Sequence, residues 1–314
     1  MTFIVRRQLK QKYLFSPLNY EVLKKLFLLI LVALCTNLSA QHRFGVRAGL
    51  NYANLNGELE VGEDYEWASG FHFGVNYTYQ FNDIFGLRTE LLYTQKGARQ
   101  TFLNPDSFQE IITINGLVTR FVERGQVDLS LRHTQNYFSI PITAQIQVSK
   151  KVEIFGGFSL DLLFAPTGGG TLLFESTDQI ENIRYLLRLD YNFRRDNANE
   201  VPFMNPPEVT SLLIDGIPSD IFRVRGAYYD IQTQTELESL GKLYNFVDAS
   251  AILGFNFFLN RAFYIGLRGE LGLLDKTNSR IDFSRTELSP TDEFIGRNDR
   301  DVSHNISLSF GFRF

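Results

Sequence analysis

The twelve residues Ser303–Phe314 alternate without a break. His304, Ile306, Leu308, Phe310, Phe312 and Phe314 form one set, and Ser303, Asn305, Ser307, Ser309, Gly311 and Arg313 form the other. A period of two places the sets on opposite faces of a β-strand. The apolar face suits lipid; the small polar face suits a wet, crowded interior. A strand of this kind that stops on an aromatic residue reads as the closing strand of an outer-membrane β-barrel. Phe310, Phe312 and Phe314 are its candidate signal for the barrel-assembly machinery.

Seven further segments fit the same template: Phe44–Tyr52, Phe71–Gln80, Phe85–Thr94, Tyr137–Val148, Glu153–Phe164, Phe246–Phe257 and Phe263–Leu273. Each has about the ten residues that a tilted strand needs to cross hydrocarbon. Glu153–Phe164 is the least regular, with large residues on both faces. Asn82-Asp83, Ser149-Lys150-Lys151 and Asn260-Arg261 supply tight-turn chemistry between paired segments. The other connections, 53–70, 95–136, 165–245 and 274–301, are long. Strict alternation of short and long connections implies an eight-stranded antiparallel up-and-down transmembrane β-barrel. Its short turns and both termini would be periplasmic, and its long loops extracellular. Aromatic residues at both ends of the segments predict two interfacial girdles. A soluble β-barrel also alternates, but it would bury the apolar face, and here the opposite set is rich in Gly, Ser and Arg.

The connection at 165–245 leaves a ten-strand alternative open. Tyr185, Leu187, Leu189, Tyr191 and Phe193 alternate with Leu186, Arg188, Asp190, Asn192 and Arg194, and 223–231 alternates weakly. These segments fit either a hairpin above the membrane or two more spanning strands. Within the same connection, Asn205-Pro206-Pro207-Glu208 before Val209–Ile214 predicts a short helix. Gly168-Gly169-Gly170 lacks the Lys-Ser/Thr of a phosphate loop and reads as a hinge or turn.

Residues 1–40 read as a signal peptide, followed by one barrel domain at 41–314. Lys24 and Lys25 precede an apolar run, Leu26–Cys35, too short to span a bilayer. Cleavage is expected between Ala40 and Gln41. Cys35, the only cysteine, raises a lipoprotein alternative, against which bulky Leu34 argues. The chain has 31 basic and 35 acidic residues. Removing the first forty, with six basic and one acidic, leaves 25 and 34, a net charge of −9. That balance argues against nucleic acid as a partner. The remaining chain can form neither a disulfide nor a cysteine-based metal site.

The first segment, Phe44-Gly45-Val46-Arg47-Ala48-Gly49-Leu50-Asn51, resembles the first strand of the Bacteroidetes outer-membrane β-barrel family that includes PorT. Thr89–Gly97 resembles that family's third strand, Tyr137-Phe138-Ser139-Ile140-Pro141 the entry to its fourth, and Phe246–Phe257 its sixth. The size of the 165–245 connection departs from the family pattern. The resemblance implies the barrel fold and an outer-membrane location. Through PorT it also suggests a role in type IX secretion or gliding.

Inward positions collect charge: Arg47, Arg88, Glu90, Asp248, Arg268, Glu270 and Asp161. Eight strands enclose an interior just wide enough for side chains to fill it. Opposite charges there should form a hydrogen-bonded plug and leave no significant pore; an ion relay is the alternative. The four histidines, His42, His72, His133 and His304, show no paired ligand spacing, and His304 has Ile306 rather than Ser on its face. No catalytic residue, metal or cofactor is therefore expected. Asp292-Glu293 and Asn298-Asp299-Arg300-Asp301 lack the glycine and closing glutamate of a calcium loop and read as a solvated acidic loop. The expected function is a membrane-embedded scaffold or a loop-mediated binding protein. Its expected partners are outer-membrane lipid, lipopolysaccharide, the assembly machinery and a protein at the extracellular loops. A secretion-apparatus subunit and a lipid-modifying enzyme are the alternatives.

Overall fold

The polar and apolar sets of each segment separate onto the two faces of one closed sheet. The computed structural model describes residues 41–114, 118–177, 184–194, 203–204, 212–214, 217–219, 221–224, 229–230, 238–239, 242–279 and 282–314. The expected signal segment, residues 1–40, lies outside them, as does most of the helix expected after Asn205. Leu212–Ile214, at the end of that helix, is instead extended and pairs with Ile217–Ser219.

The principal strands are β1 (His42–Asn56), β2 (Glu63–Gln80), β3 (Phe85–Ile114), β4 (Val118–Ser149), β5 (Val152–Ser176), β6 (Arg184–Asn192), β7 (Val247–Phe258), β8 (Phe263–Gly272), β9 (Phe283–Leu288), β10 (Phe294–Gly296) and β11 (Val302–Arg313). Eight of them close a ring, in the order β1-β2-β3-β4-β5-β7-β8-β11 and back to β1. The closing pair of β11 with β1 runs antiparallel from Gly45↔Arg313 to Asn56↔Val302. Closure leaves no barrel edge with unpaired backbone groups, the condition for a sheet in hydrocarbon. The ring lies within residues 43–314, which form one compact unit.

Local chemistry sets the short turns. Asn82 Oδ1 accepts hydrogen bonds from the Ile84 and Phe85 amides at 2.9 and 2.8 Å. Asn260 Oδ1 does the same for Ala262 and Phe263, both at 2.8 Å. Ser149 Oγ accepts from the Val152 amide at 3.2 Å. Each side chain replaces a backbone acceptor and reverses the chain within a few residues.

The outer face carries an apolar belt that includes Leu50, Phe73, Leu91, Ile142, Phe158 and Phe310, with Leu253 69% exposed. Such a surface suits lipid rather than water. Irregular β5 resolves into the same pattern. Ile154, Phe158 and Leu160 face out; Glu153, Ser159 and Asp161 face in together with Phe155. The Phe155 ring fits inside because β7 has Gly254 beside it, where an added Cβ would lie 2.6 Å from the ring.

The long connections differ from their expected form at the end of the barrel opposite the short turns, here the distal end. About ten residues cross hydrocarbon, yet β3 has 30 residues, β4 has 32 and β5 has 25. The stretch expected as a loop at 95–136 is largely the continuation of β3 and β4, paired from Phe102↔Leu129 to Ile114↔Val118 with one register shift between Asn104 and Ser107. Gly168-Gly169-Gly170, expected to bend, lies inside β5 between β4 and β6. An added Cβ at Gly170 would meet the Ser130 carbonyl oxygen at 1.9 Å. Small residues are needed there for close strand contact, not for a hinge. β6 pairs with this continuation of β5, so it adds to a wall above the ring and does not join the ring. Ile221–Val224 likewise pairs with the far end of β3.

Candidate functional site

Charge fills the ring. Arg47, Arg88, Glu90, Asp161, Asp248, Arg268 and Glu270 are all buried inside it, where their sequence parity puts them. Glu90 is the central acceptor, 2.9 Å from Arg47 Nη1 and 3.1 Å from Arg268 Nη1. Arg268 Nη2 reaches Glu270 at 2.8 Å. Lys96 Nζ lies 2.7 Å from both Asp161 and Glu270, and Arg88 lies 3.1 Å from Glu153. Lys276 sits 3.6 Å from Asp248 and donates to Gln135 at 2.7 Å. These five cations and five carboxylates balance. Balance matters because an unpaired charge is costly to bury, and removing one partner of a buried pair exposes that cost.

Lys96, Glu153 and Lys276 were missed at the sequence level. Lys96 is in phase with Arg88 and Glu90, one step of two beyond the expected end of its segment at Thr94, and Glu153 is in phase with Asp161 at the start of its own segment, so the period of two reaches both. Lys276 follows the end of β8 in an irregular segment, where no periodicity marks it.

His72 also lies inside the ring. Its Nδ1 is 2.8 Å from Asn51 Oδ1 and its Nε2 is 2.9 Å from Ser309 Oγ. The connectivity is that of a hydroxyl, a base and an orienting amide. Ser309 Oγ, however, also accepts from Arg47 Nη2 at 2.5 Å and is fully buried in the charge network. This arrangement ties β11 to β1 and β2 and offers no approach to a substrate.

Above the ring, the continued strands and β9 line a partly open cavity of about 150 Å³. Leu129, Leu131 and Leu172 line one part of it, and Tyr191, Phe193 and Tyr244 another. His133 stands in its wall. Gln100 Nε2 donates to Glu63 at 2.6 Å, which turns Gln100 Oε1 toward His133 Nε2 at 3.1 Å. His133 Nε2 therefore carries the proton, and Nδ1 accepts from the Tyr244 hydroxyl at 2.7 Å. Burial, then the nearby Arg285 cation, lowers His133 to about 3, so the imidazole is neutral. Burial pushes the Tyr191 phenol up to about 12.

The acidic segment expected to be solvated is only partly so. Asp292 and Glu293 are exposed. Asp299 and Asp301 instead converge on Asp282, with carboxylate oxygens within 4.8 Å of one another. Arg297 clasps the group, 2.8 Å from Asp299, 3.8 Å from Asp282 and 3.2 Å from Glu63. Burial, then the neighbouring Asp299 carboxyl, pushes Asp282 up to about 8 against the pull of Arg297. A guanidinium already occupies the charge-balancing position.

Residues 39–278 match the model of a family described as outer membrane protein beta-barrel domain. Solved structures similar to this chain include Ail, the attachment invasion locus protein of Yersinia pestis, at 11% identity and a TM-score of 0.32, covering 87% of this chain and 99% of that one. Neisserial surface protein A is similar at 9% identity and a TM-score of 0.31, covering 86% and 97%. The outer membrane protein OprG from Pseudomonas aeruginosa is similar at 10% identity and a TM-score of 0.33, covering 87% and 96%. No curated protein matches the sequence.

Proposed function

The chain belongs to the outer membrane protein beta-barrel domain family, and from that premise we propose that it is a closed, charge-plugged scaffold whose function lies in the strand wall at its distal end. In this reading the termini and short turns face the periplasm, and the wall stands outside the cell. The observation that carries it is the balanced set of ion pairs across the ring, Arg88–Glu153, Lys96–Asp161 and Arg268–Glu90 among them. Side chains that hydrogen-bond across an eight-stranded interior leave solute no continuous path. A barrel that does not conduct is an anchor, and its presented surface is the strand extension of β3, β4, β5 and β6. Lipid and lipopolysaccharide would surround the apolar belt, the assembly machinery would insert the barrel, and a protein partner would meet the wall.

The test is recovery of partners from gently solubilised outer membranes, comparing the full chain with a variant whose residues 99–131 are replaced by a short turn. The trimmed barrel should still migrate faster on unheated than on heated gels and should lose its partner. A partner retained in full by the trimmed barrel would place recognition at the short turns and refute this reading.

A further inference from the structure

We propose that the distal cavity binds a small amphipathic carboxylate, its apolar body against Leu131, Leu172 and Phe193 and its carboxylate on the Arg285 guanidinium. The inference deepens the reading of the distal end as the functional face, and rests on it.

The cavity's size sets the scale of the occupant. About 150 Å³ is the volume of an engineered apolar cavity that holds benzene. The leucine and aromatic part of the lining favours an apolar body of that size, a single ring or a short alkyl chain, while Glu63, Asp282 and Asp301 in the same lining restrict an anionic head to the Arg285 side.

Arg285 sets the head group. Two guanidiniums line the cavity, and they differ in state. Arg297 is engaged by Glu63, Asp282 and Asp299. Arg285 makes no ion pair with any described carboxylate, and its Nη1 is buried without a hydrogen-bond partner. Its cation instead lies 5.3 Å from the centre of the Phe102 ring. Glu60, the carboxylate that touches the Arg285 backbone, is occupied by the Arg285 amide at 3.0 Å and by the hydroxyls of Ser284 and Thr286 at 2.5 and 3.2 Å. The electrostatic reach of Arg285 extends to the other cavity groups. It helps hold His133 neutral and opposes the rise of Tyr191. Arg285 is half-buried, but its Nη1 is shut off from water with no partner, and a carboxylate entering the cavity would supply one through a charge-assisted bond. A neutral hydrocarbon would fill the chamber and leave the cation unmatched.

Binding is measured by calorimetry on the full protein in lipid nanodiscs, against empty nanodiscs. Phenylacetate and hexanoate serve as the aromatic and the alkyl carboxylate, and phenylacetamide as the neutral analogue. Saturable binding of phenylacetate or hexanoate is expected. The stronger of the two identifies an aromatic-acid or a fatty-acid source. Arg285→Gln should weaken carboxylate binding at least tenfold and leave phenylacetamide unchanged, and Arg285→Lys should restore part of the affinity. Leu131→Trp should abolish binding of all three, while the heat-dependent gel shift of every variant stays as in the unaltered protein. No saturable binding of either carboxylate, or equal affinity in Arg285→Gln, overturns the proposal. If that happens while the trimmed wall still loses its partner, the distal-face reading survives and this inference alone fails.

Discussion

Arg88 Nη2 lies 3.1 Å from Glu153 Oε1, joining β3 to β5 across the inner surface of β4. Arg88 also donates through Nε to Thr78 at 3.0 Å, and Glu153 also accepts from Asn256 at 2.7 Å. The pair therefore links β2, β3, β5 and β7, half of the ring. Arg88→Met should destabilise the barrel by about 3–5 kcal/mol, because it leaves the Glu153 charge buried and unpaired. Adding Glu153→Gln should recover most of that loss, since the amide still accepts from Asn256 and no charge remains. Urea titration of unfolding in lipid vesicles measures both variants. An additive double mutant would mean that the two groups do not interact.

Leu308 sits near the middle of β11, flanked by Leu50 on β1 and Leu267 on β8, and faces outward. Leu308→Arg should cost about 2–4 kcal/mol, the penalty of a charge near the bilayer midplane. Unfolding titrations in vesicles should show that loss. A cost near zero would place this face away from lipid.

Gly170→Val should separate β5 from β4 in the wall without opening the ring, because the added Cβ is directed at the Ser130 carbonyl. Overpacking of this kind costs about 1–3 kcal/mol. Limited proteolysis should cut near residue 130 in the variant, with the heat-dependent gel shift intact. Unchanged protease resistance would mean that the close contact at Gly170 does not hold the wall.

Asp282 gives the distal end a pH dependence. Its folded pKa is raised from 3.8 to about 8. The folded state therefore keeps a proton that the unfolded chain releases, and stability falls as pH rises from about 4 to 8. His133 acts with the opposite sign only between about 3 and 6.5, and Lys276, lowered by burial to about 8, only above that value, so the range from 6.5 to 8 is clear of both; comparison with Asp282→Asn separates Asp282 from Asp301, whose carboxyl burial also raises. Amide protection factors at residues 294–301, which correct for the intrinsic pH dependence of exchange, should fall between pH 6.5 and 8, by at most about 1.4 kcal/mol per pH unit. Asp282→Asn should remove the trend. Identical pH profiles in the two proteins would exclude Asp282 as its source.

The spanning strands were legible because lipid imposes one rule on every outward position. Leu50, Leu91 and Leu308 obey it, and opposite parity then places Arg47, Glu90 and Ser309 inside. Beyond the bilayer the rule lapses. Arg99, Thr101 and Asp128 on the outer face of β3 and β4 meet water, so the apolar alternation fades while the backbone pairing continues. That is why 95–136 read as a loop. The cavity was illegible for another reason. Leu131, Leu172, Tyr244 and Arg285 come from four separate parts of the chain, and only the pairing of β4 with β5 and the return of the 274–301 connection bring them together. Asp282 likewise has no sequence neighbour that announces Asp299.

If paired side chains close the barrel, its work is done at the distal wall. Single-channel recording of the purified protein in planar bilayers tests this most directly. A barrel closed in this way should show no steady conductance above the bare membrane across the usual range of applied voltage. Large, stable, ohmic currents would contradict it, since ions could then pass the Glu90, Lys96 and Arg268 network that is held to fill the ring.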